Sequence, residues 1–202
     1  ALIKKLHDEN IYVIARITIF QDPILAKARP DLAIHSKAKC QMSDVKCQMS
    51  SSTLWLDHKG LAWIDPASQE AWDYNIAIAK DAASRGFDEL NFDYIRFASD
   101  GDLNDMIFPF YDNKTSKNEI IKDFFFYLRE KTKGAKISAD IFGIATIKND
   151  DLGIGQVIED AYAYFDYVSP MVYPSHYASG FLGYKNPAQY PYEVVKYSIE
   201  NA

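Results

Sequence analysis

One otherwise apolar stretch of the sequence, FDELNFDYIRF (Phe87–Phe97), contains charged and amide side chains. The run is typical of a buried β-strand, yet Asn91, Asp93 and Arg96 lie within it. Carboxylate and guanidinium groups hold charge, exchange protons and bind polar ligands, and they are costly to bury without partners. The stretch is therefore the first candidate for a functional site, and the elements around it must explain its position.

Alternation of side chains along the predicted strands places the polar residues on one face. Asn91 and Asp93 point away from Leu90 and Phe92, because a strand has a side-chain period of two. Three further strands show the same separation of polar from apolar residues. Their polar-face members are Arg16 and Thr18 in Ile11–Phe20, Ser138 and Asp140 in Lys136–Gly143, and Ser169, Met171 and Tyr173 in Asp166–Pro174.

Predicted helices separate these strands. Asp65 followed by Pro66 indicates a helix start, and Gly86 marks its end. The spacing of Ser116 and Glu119 is that of a capping box, ahead of a helix that stops at Gly134. Further helices are predicted over Gly155–Phe165 and from Pro191 to the end of the chain. Strands that alternate with helices predict parallel pairing and an α/β fold.

Two α/β architectures compete for this pattern. A doubly wound sheet would carry near-uniform apolar strands and a glycine-rich phosphate turn, and its nearest match, Gly153–Gly155, does not follow a strand. Polar residues gathered towards the carboxyl ends of strands are typical instead of a TIM barrel. Such a barrel needs eight strands and about 250 residues. We therefore expect residues 1–202 to be a single barrel domain that covers only the central strands and is incomplete at both ends.

The composition of the chain limits the partners and locations that we expect for it. The chain has 202 residues, 48% of them hydrophobic, with a net charge of −6. No cluster of Lys and Arg interleaves with aromatic residues, so we expect no nucleic-acid partner. No apolar run approaches about 18 residues, so we expect no membrane span in this segment. The chain opens without Met or a signal-peptide core, and localisation stays open on these grounds.

The two cysteines, Cys40 and Cys47, lie in a polar loop over residues 36–53 in which KCQMS occurs twice. A zinc site needs about four nitrogen or sulfur ligands at short spacings, and the four scattered histidines do not provide them. We therefore predict no metal site and no cofactor. The cysteines could form a disulfide or stay reduced, and the sequence leaves both states open.

Five segments of the sequence carry a resemblance to a known family. They are YVIARITIFQDPILAKARPDLAI, KGLAWIDPASQEAWDYNIAIAKDAASRGFDELNFDYIRFASDG, SADIFG, DDLGIGQ and YVSPMVYPSHYASGFLGYKNPAQYPYEVV. In this order they resemble a bacterial family described as a "putative glycosyl hydrolase domain", a TIM barrel distantly similar to amylase-like and chitinase-like enzymes. The resemblance implies that the four strands are about the third to sixth of the barrel, that the partner is a carbohydrate, and that the location is extracellular or in the cell envelope.

The better-known relatives test the candidate site. Chitinase-like barrels carry their acid at the position of Ile95, and isoleucine cannot donate a proton, so that chemistry is excluded. Amylase-like barrels place an Asp nucleophile where Asp93 stands and a Glu acid where Asp140 stands, so the match is partial. Glycoside hydrolysis uses two carboxyl groups, and we expect Arg16 to keep one of them ionised and a less solvated Asp140 to keep its proton. A structural ion pair is an equal alternative for Arg16.

Other residues, given at the end of this subsection, are predicted to bind substrate at the mouth of the barrel. Asp88 and Glu89 are expected to face solvent at its opposite end.

The leading function is a glycoside hydrolase acting on a polysaccharide, and the alternative is a non-catalytic carbohydrate-binding or scaffold barrel. A metal-dependent hydrolase would need a His-x-His motif or a His/Asp cluster at the strand ends, and the sequence contains neither. The predicted substrate-binding residues are Arg16, Trp63, Asp65, Asn91, Tyr94, Arg96, Tyr173, His176 and Tyr177.

Overall fold

The computed structural model describes residues 2–41 and 49–202. Strands occupy Ile14–Thr18 (β1), His35–Ser36 (β2), Glu89–Asp93 (β3), Met106–Ile107 (β4), Lys136–Phe142 (β5) and Tyr167–Met171 (β6). Helices occupy Leu2–Asp8 (α1), Pro23–Ala28 (α2), Lys37–Gln41 (α3), Gln69–Ser84 (α4), Lys117–Lys131 (α5), Ile158–Tyr164 (α6) and Pro191–Glu200 (α7). Four parallel strands form the main sheet in the order β1-β3-β5-β6, and β2 pairs with β4 in an antiparallel ribbon.

The order of the main sheet distinguishes between the two predicted architectures. Its four strands follow one another in chain order, and parallel crossovers are right-handed almost without exception, so the connecting helices lie on one face. A doubly wound sheet reverses its order part-way and carries helices on both faces. The predicted parallel α/β fold is therefore confirmed. The described strands form an open sheet with β1 and β6 at its edges.

The helix-covered face of this sheet holds the core. Phe92 of β3 packs on Phe165, whose ring also meets Phe125 of α5 with a centroid separation of 5.1 Å. Trp72 of α4 and Phe20 each contact Phe124, so both helices converge on the same aromatic cluster. Burial of side chains of this size stabilises the fold by about 1.5–3 kcal/mol each. Packing of the helices on the apolar face thus stabilises the sheet, and the polar face takes no part in this packing.

Helices α5 and α7 begin where the sequence predicts, whereas α4 and α6 begin later, α6 at Ile158 and not at Gly155. The capping box at α5 is present, with Ser116 and Glu119 bonded reciprocally. Helix α4 begins later than predicted, at Gln69, because the Ser68 hydroxyl accepts the Ala71 N–H at 3.3 Å. The prediction of Asp65 as the N-cap is therefore wrong.

The region around the cysteines is only partly described. Cys40 is buried at the end of α3 and is disulfide-bonded, whereas Cys47 lies outside the described residues. The predicted polar loop over residues 36–53 thus begins with a short strand and a helix, and its centre, residues 42–48, is likewise outside them. Within the described ranges, no helix is long and apolar enough to cross a membrane.

Gly143 allows the ends of β5 and β6 to approach closely. A Cβ at this position would lie 2.5 Å from the Met171 carbonyl oxygen and 2.6 Å from the Val172 Cα, both of them backbone atoms that cannot rotate away. We expect Gly143→Ala to lower the free energy of unfolding by about 2 kcal/mol, the range typical of overpacking. Urea denaturation measures this loss.

Gly60→Ala is the matched control, because a Cβ there meets nothing within 4 Å and only its left-handed backbone, with φ of 76°, is strained. It should cost about 1 kcal/mol. Equal losses for the two variants would mean that the contact between the strand ends is not what constrains Gly143.

Candidate active site

Asp93 ends β3, with its side chain on the polar face of the sheet and only 3% exposed. One carboxylate oxygen accepts a hydrogen bond from Arg16 Nη2, and the other accepts the Tyr94 N–H at 2.7 Å. Tyr94 itself has a φ of 55°, a left-handed conformation that costs a non-glycine residue about 1–2 kcal/mol. The chain therefore turns sharply after Asp93, and the carboxylate accepts the first amide of that turn.

Asp140 lies on β5, on the same face of the sheet. Its carboxylate accepts a hydrogen bond of 3.0 Å from Asn91 Nδ2 and lies 3.7 Å from Arg16 Nε. Burial raises the pKa of Asp140, the negative charge of Asp93 adds to that shift, and the contacts with Asn91 and Arg16 only partly oppose it. Asp140 thus retains a proton to higher pH than a free carboxyl group does.

The two carboxylates flank one guanidinium group. Arg16 of β1 reaches across β3, so that it contacts both Asp93 and Asp140 while its own side chain stays 60% exposed. Both carboxylates therefore face one side of the sheet, and their shared contact with one guanidinium group places them within about 10 Å of each other, as the two geometries of glycoside hydrolysis require. The prediction that Asp140 is the less solvated carboxyl is wrong, because its side chain is 18% exposed against 3% for Asp93.

A hydrogen-bonded network continues from Asp140 towards the amino ends of the strands. Asn91 also donates to Ser138 Oγ at 3.1 Å, and Ser138 in turn donates to Glu89 at 2.5 Å. Glu89 accepts a second bond from the Tyr12 hydroxyl at 3.0 Å, and burial together with this bond raises the pKa of Tyr12 to about 12. Glu89 is buried, so the prediction that it faces solvent is wrong. Asn91 was predicted to bind substrate, but it is buried, does not line the cleft and orients Asp140 instead.

A cleft of about 430 Å³ opens above this network, at the carboxyl ends of the strands. Six predicted site residues line it, and Asp140 is connected to it through its contact with Arg16. The other five lining residues were not predicted from the sequence. Most of them lie at strand ends or in the loops that follow strands, where the sites of α/β proteins are built. The lining comprises Arg16, Lys59, Asp93, Tyr94, Arg96, Ser99, Asp100, Phe142, Met171, Tyr173 and His176. Among the described residues, no group of three or more His, Cys, Asp or Glu side chains could hold a metal ion.

Tyr173 and His176 form one wall of the cleft. Their rings meet edge to face with centroids 5.1 Å apart, and Tyr173 is 52% exposed. Tyr177 was predicted to join them, but it is buried, with its hydroxyl 2.7 Å from Ser198 Oγ and its ring against Phe181. Tyr177 thus belongs to the packing between this loop and α7.

Trp63 and Asp65, both predicted to contact substrate, lie in the core instead. Trp63 is fully buried, and its Nε1 donates to Asp57 at 3.0 Å, so it offers no face for stacking a ligand. Asp65 is equally buried and accepts the backbone N–H groups of Phe110 and Tyr111 at 2.7 and 3.0 Å. Asp65 therefore anchors a distant loop and cannot be a contact at the rim.

Comparison with known proteins identifies the family of this chain. A family model described as "Putative glycosyl hydrolase domain" matches residues 1–202, so the chain belongs to that family. A solved structure of a hypothetical protein from Ruminiclostridium thermocellum is 36% identical, with a TM-score of 0.57 over 76% of this chain. The chain spans 65% of that protein's length. No curated protein matches the sequence.

Two more distant solved structures share the fold. The glycoside hydrolase domain of PelA from Pseudomonas aeruginosa is 12% identical, with a TM-score of 0.53, and the match covers 98% of this chain and 65% of that one. The alpha-galactosidase from Lactobacillus brevis is 10% identical, with a TM-score of 0.52, over 98% of this chain and 22% of the enzyme. At these identities the likeness concerns the fold alone.

The raised pKa of Asp140 predicts how stability depends on pH. The folded state disfavours the ionised carboxyl, so the wild type loses stability as pH rises through the folded pKa of Asp140. Asp140→Asn removes this loss while keeping an oxygen for Asn91. We expect the melting temperature of the variant to rise relative to wild type as pH increases from about 4, near the pKa of an unfolded Asp, through the folded pKa of Asp140.

Asp166→Asn is the control, because it should give the opposite sign. Burial opposes ionisation of Asp166, but the Ile137 N–H and Arg129 outweigh it and hold its pKa below the usual range. Its stabilising contribution is therefore present above the unfolded pKa and lost in acid. A melting temperature for Asp140→Asn that falls relative to wild type as pH rises would contradict the assignment.

Proposed function

We propose that this member of the glycosyl hydrolase family contributes the central strands of a (β/α)8 barrel that cleaves a polysaccharide with two carboxyl groups, Asp93 and Asp140. The observation that carries the proposal is their common contact with Arg16 on one face of adjacent parallel strands, beside a cleft at the strands' carboxyl ends. Active sites of such barrels are built at that end. In this proposal, β1 and β6 pair with further strands of the barrel.

Glycoside hydrolysis needs one carboxyl group that gives up a proton and one that is already ionised. The first protonates the leaving oxygen, and the second attacks the sugar or activates a water, at separations of about 5 to 9.5 Å. We assign the acid to Asp140, whose pKa is raised by burial and by the charge of Asp93. We assign the ionised partner to Asp93, which pairs directly with Arg16.

The walls of the cleft suit a sugar. Tyr173 offers an exposed ring and a hydroxyl, and His176 sets the angle of that ring through their edge-to-face contact. Tyr94 adds a second aromatic side chain, in the turn that directly follows the strand bearing Asp93. Aromatic faces and polar tips together are the usual combination for holding a ring with one apolar side and several hydroxyls.

One observation favours the alternative, a carbohydrate-binding barrel without hydrolytic activity. The Arg16 guanidinium contacts both carboxylates, where a reacting sugar would need access to them. In a hydrolase Arg16 must swing aside when substrate enters, which its 60% exposure allows. In a binding module it would stay as a structural ion pair.

Asp93→Asn tests the hydrolase directly. On a panel of labelled polysaccharides, we expect wild type to release oligosaccharides and the variant to be slower by at least about a hundredfold, since a positioned carboxylate contributes about that much or more. Reducing-end release measures the rate.

Asp88→Asn is the matched control from the opposite end of the same strand, where Asp88 accepts the Val13 N–H at 2.7 Å and lies outside the cleft. It should leave the rate within about twofold of wild type. Binding without cleavage by wild type would favour the carbohydrate-binding alternative, and equal rates for wild type and Asp93→Asn would remove Asp93 from the mechanism.

Tyr173→Phe tests the wall of the cleft. The hydroxyl has no hydrogen-bond partner among the described residues, so its removal should leave stability unchanged. If it contacts the sugar, glycan turnover or binding should fall by about tenfold, equivalent to about 1.4 kcal/mol.

Tyr177→Phe is the matched control, because it removes a buried hydroxyl that lies 2.7 Å from Ser198 Oγ. It should lower the free energy of unfolding by about 1 kcal/mol and spare glycan handling. If Tyr173→Phe is the variant that loses stability while handling glycans normally, Tyr173 is a packing residue.

A further inference from the structure

Arg96 is a buried cation in the wall of the cleft. Only 6% of the residue is exposed, and its guanidinium lies 4.5 Å from the ring centroid of Phe142 and 4.9 Å from that of Trp63. Its Nη1 donates to the Phe97 carbonyl at 2.9 Å and to Ser99 Oγ at 3.0 Å. These contacts hold the group in one orientation and use one of its three nitrogens.

The other two nitrogens of Arg96 have no partner in the described part of the chain. Arg96 makes no ion pair there, and Asp100 and Asp93, the carboxylates that share the cleft, lie beyond ion-pair distance of it. Among the described residues, the one buried side-chain nitrogen or oxygen without a hydrogen-bond partner is Asn75 Oδ1. Nε and Nη2 of Arg96 must therefore keep some exposure, and Arg96 lines the cleft.

A second cation stands on the same cleft. Lys59 lies on an exposed turn and, in the described residues, makes no ion pair. Three cations and two carboxylates line the cleft, namely Arg16, Lys59 and Arg96 against Asp93 and Asp100. Arg16 and Asp93 neutralise each other, which leaves Lys59 and Arg96 facing Asp100.

We propose that Arg96 and Lys59 form an anion-binding subsite that selects glycans containing uronic acid. Nε and Nη2 share one edge of the guanidinium plane, and two parallel N–H donors on one edge match the two oxygens of a carboxylate. Lys59 then supplies a point charge from the facing turn. This inference rests on the proposed function, because it names the substrate class of the same cleft.

The test compares binding of three probes by isothermal titration calorimetry. The probes are an oligosaccharide of glucuronic acid, its carboxyl-reduced counterpart and a sulfated counterpart of the same length. We expect wild type to bind the uronate at least about tenfold more tightly than the reduced probe, a difference of about 1.4 kcal/mol. Arg96→Gln should abolish that preference, because the uronate loses a charged partner that the reduced probe never had.

Lys59→Glu is the second variant, because an exposed side chain can be reversed in charge without loss of folding if Arg96→Gln proves unstable. It too should weaken uronate binding selectively. Lys5→Glu, on the exposed face of α1, makes the same change in net charge away from the cleft and should have no effect.

The outcomes separate the two proposals. Equal binding of the uronate and the reduced probe overturns the uronate subsite and leaves a glycan-binding cleft standing. Tighter binding of the sulfated probe overturns the assignment to a carboxylate. Absence of binding by all three probes, together with no cleavage of the wider polysaccharide panel, removes the glycoside hydrolase proposal and this inference with it.

Discussion

The contact of one guanidinium group with two carboxylates organises the polar face of this sheet. Arg16 projects from β1, Asp93 from β3 and Asp140 from β5, so the contact spans three neighbouring strands. It depends on a register in which Arg16 stands opposite Asn91, because a slip of one residue would turn Arg16 towards the helices. The cleft and its candidate chemistry require that register to be maintained.

The two faces of the sheet maintain it in different ways. Aromatic packing of α4 and α5 on the apolar face resists sliding, since a displaced strand would leave voids in a close-packed layer. On the polar face, side-chain hydrogen bonds connect β3 with β5. Asn91 donates to Ser138 and to Asp140, and Ser138 donates to Glu89. Arg96 stands apart from this network, because its Nε and Nη2 have no hydrogen-bond partner among the described residues.

Period-two alternation was sufficient to predict the face on which Arg16, Asp93 and Asp140 meet, because that face follows from local geometry. The true environment of Asp65 was not predictable in this way, since it is set by backbone amides of Phe110 and Tyr111, far away in the chain. Trp63 shows the same limit: aromatic character is equal evidence for a core residue and for a sugar platform. Only tertiary packing distinguishes the two roles.

A crystal structure of Asp93→Asn with a cleavable oligosaccharide bound would test the proposed roles of the two carboxyl groups. We expect Arg16 to move aside and a glycosidic oxygen to lie within hydrogen-bond distance of Asp140, about 2.6–3.2 Å, with the anomeric carbon facing residue 93. An oligosaccharide bound elsewhere, or one seated in the cleft with Arg16 still between the two side chains, would contradict these roles.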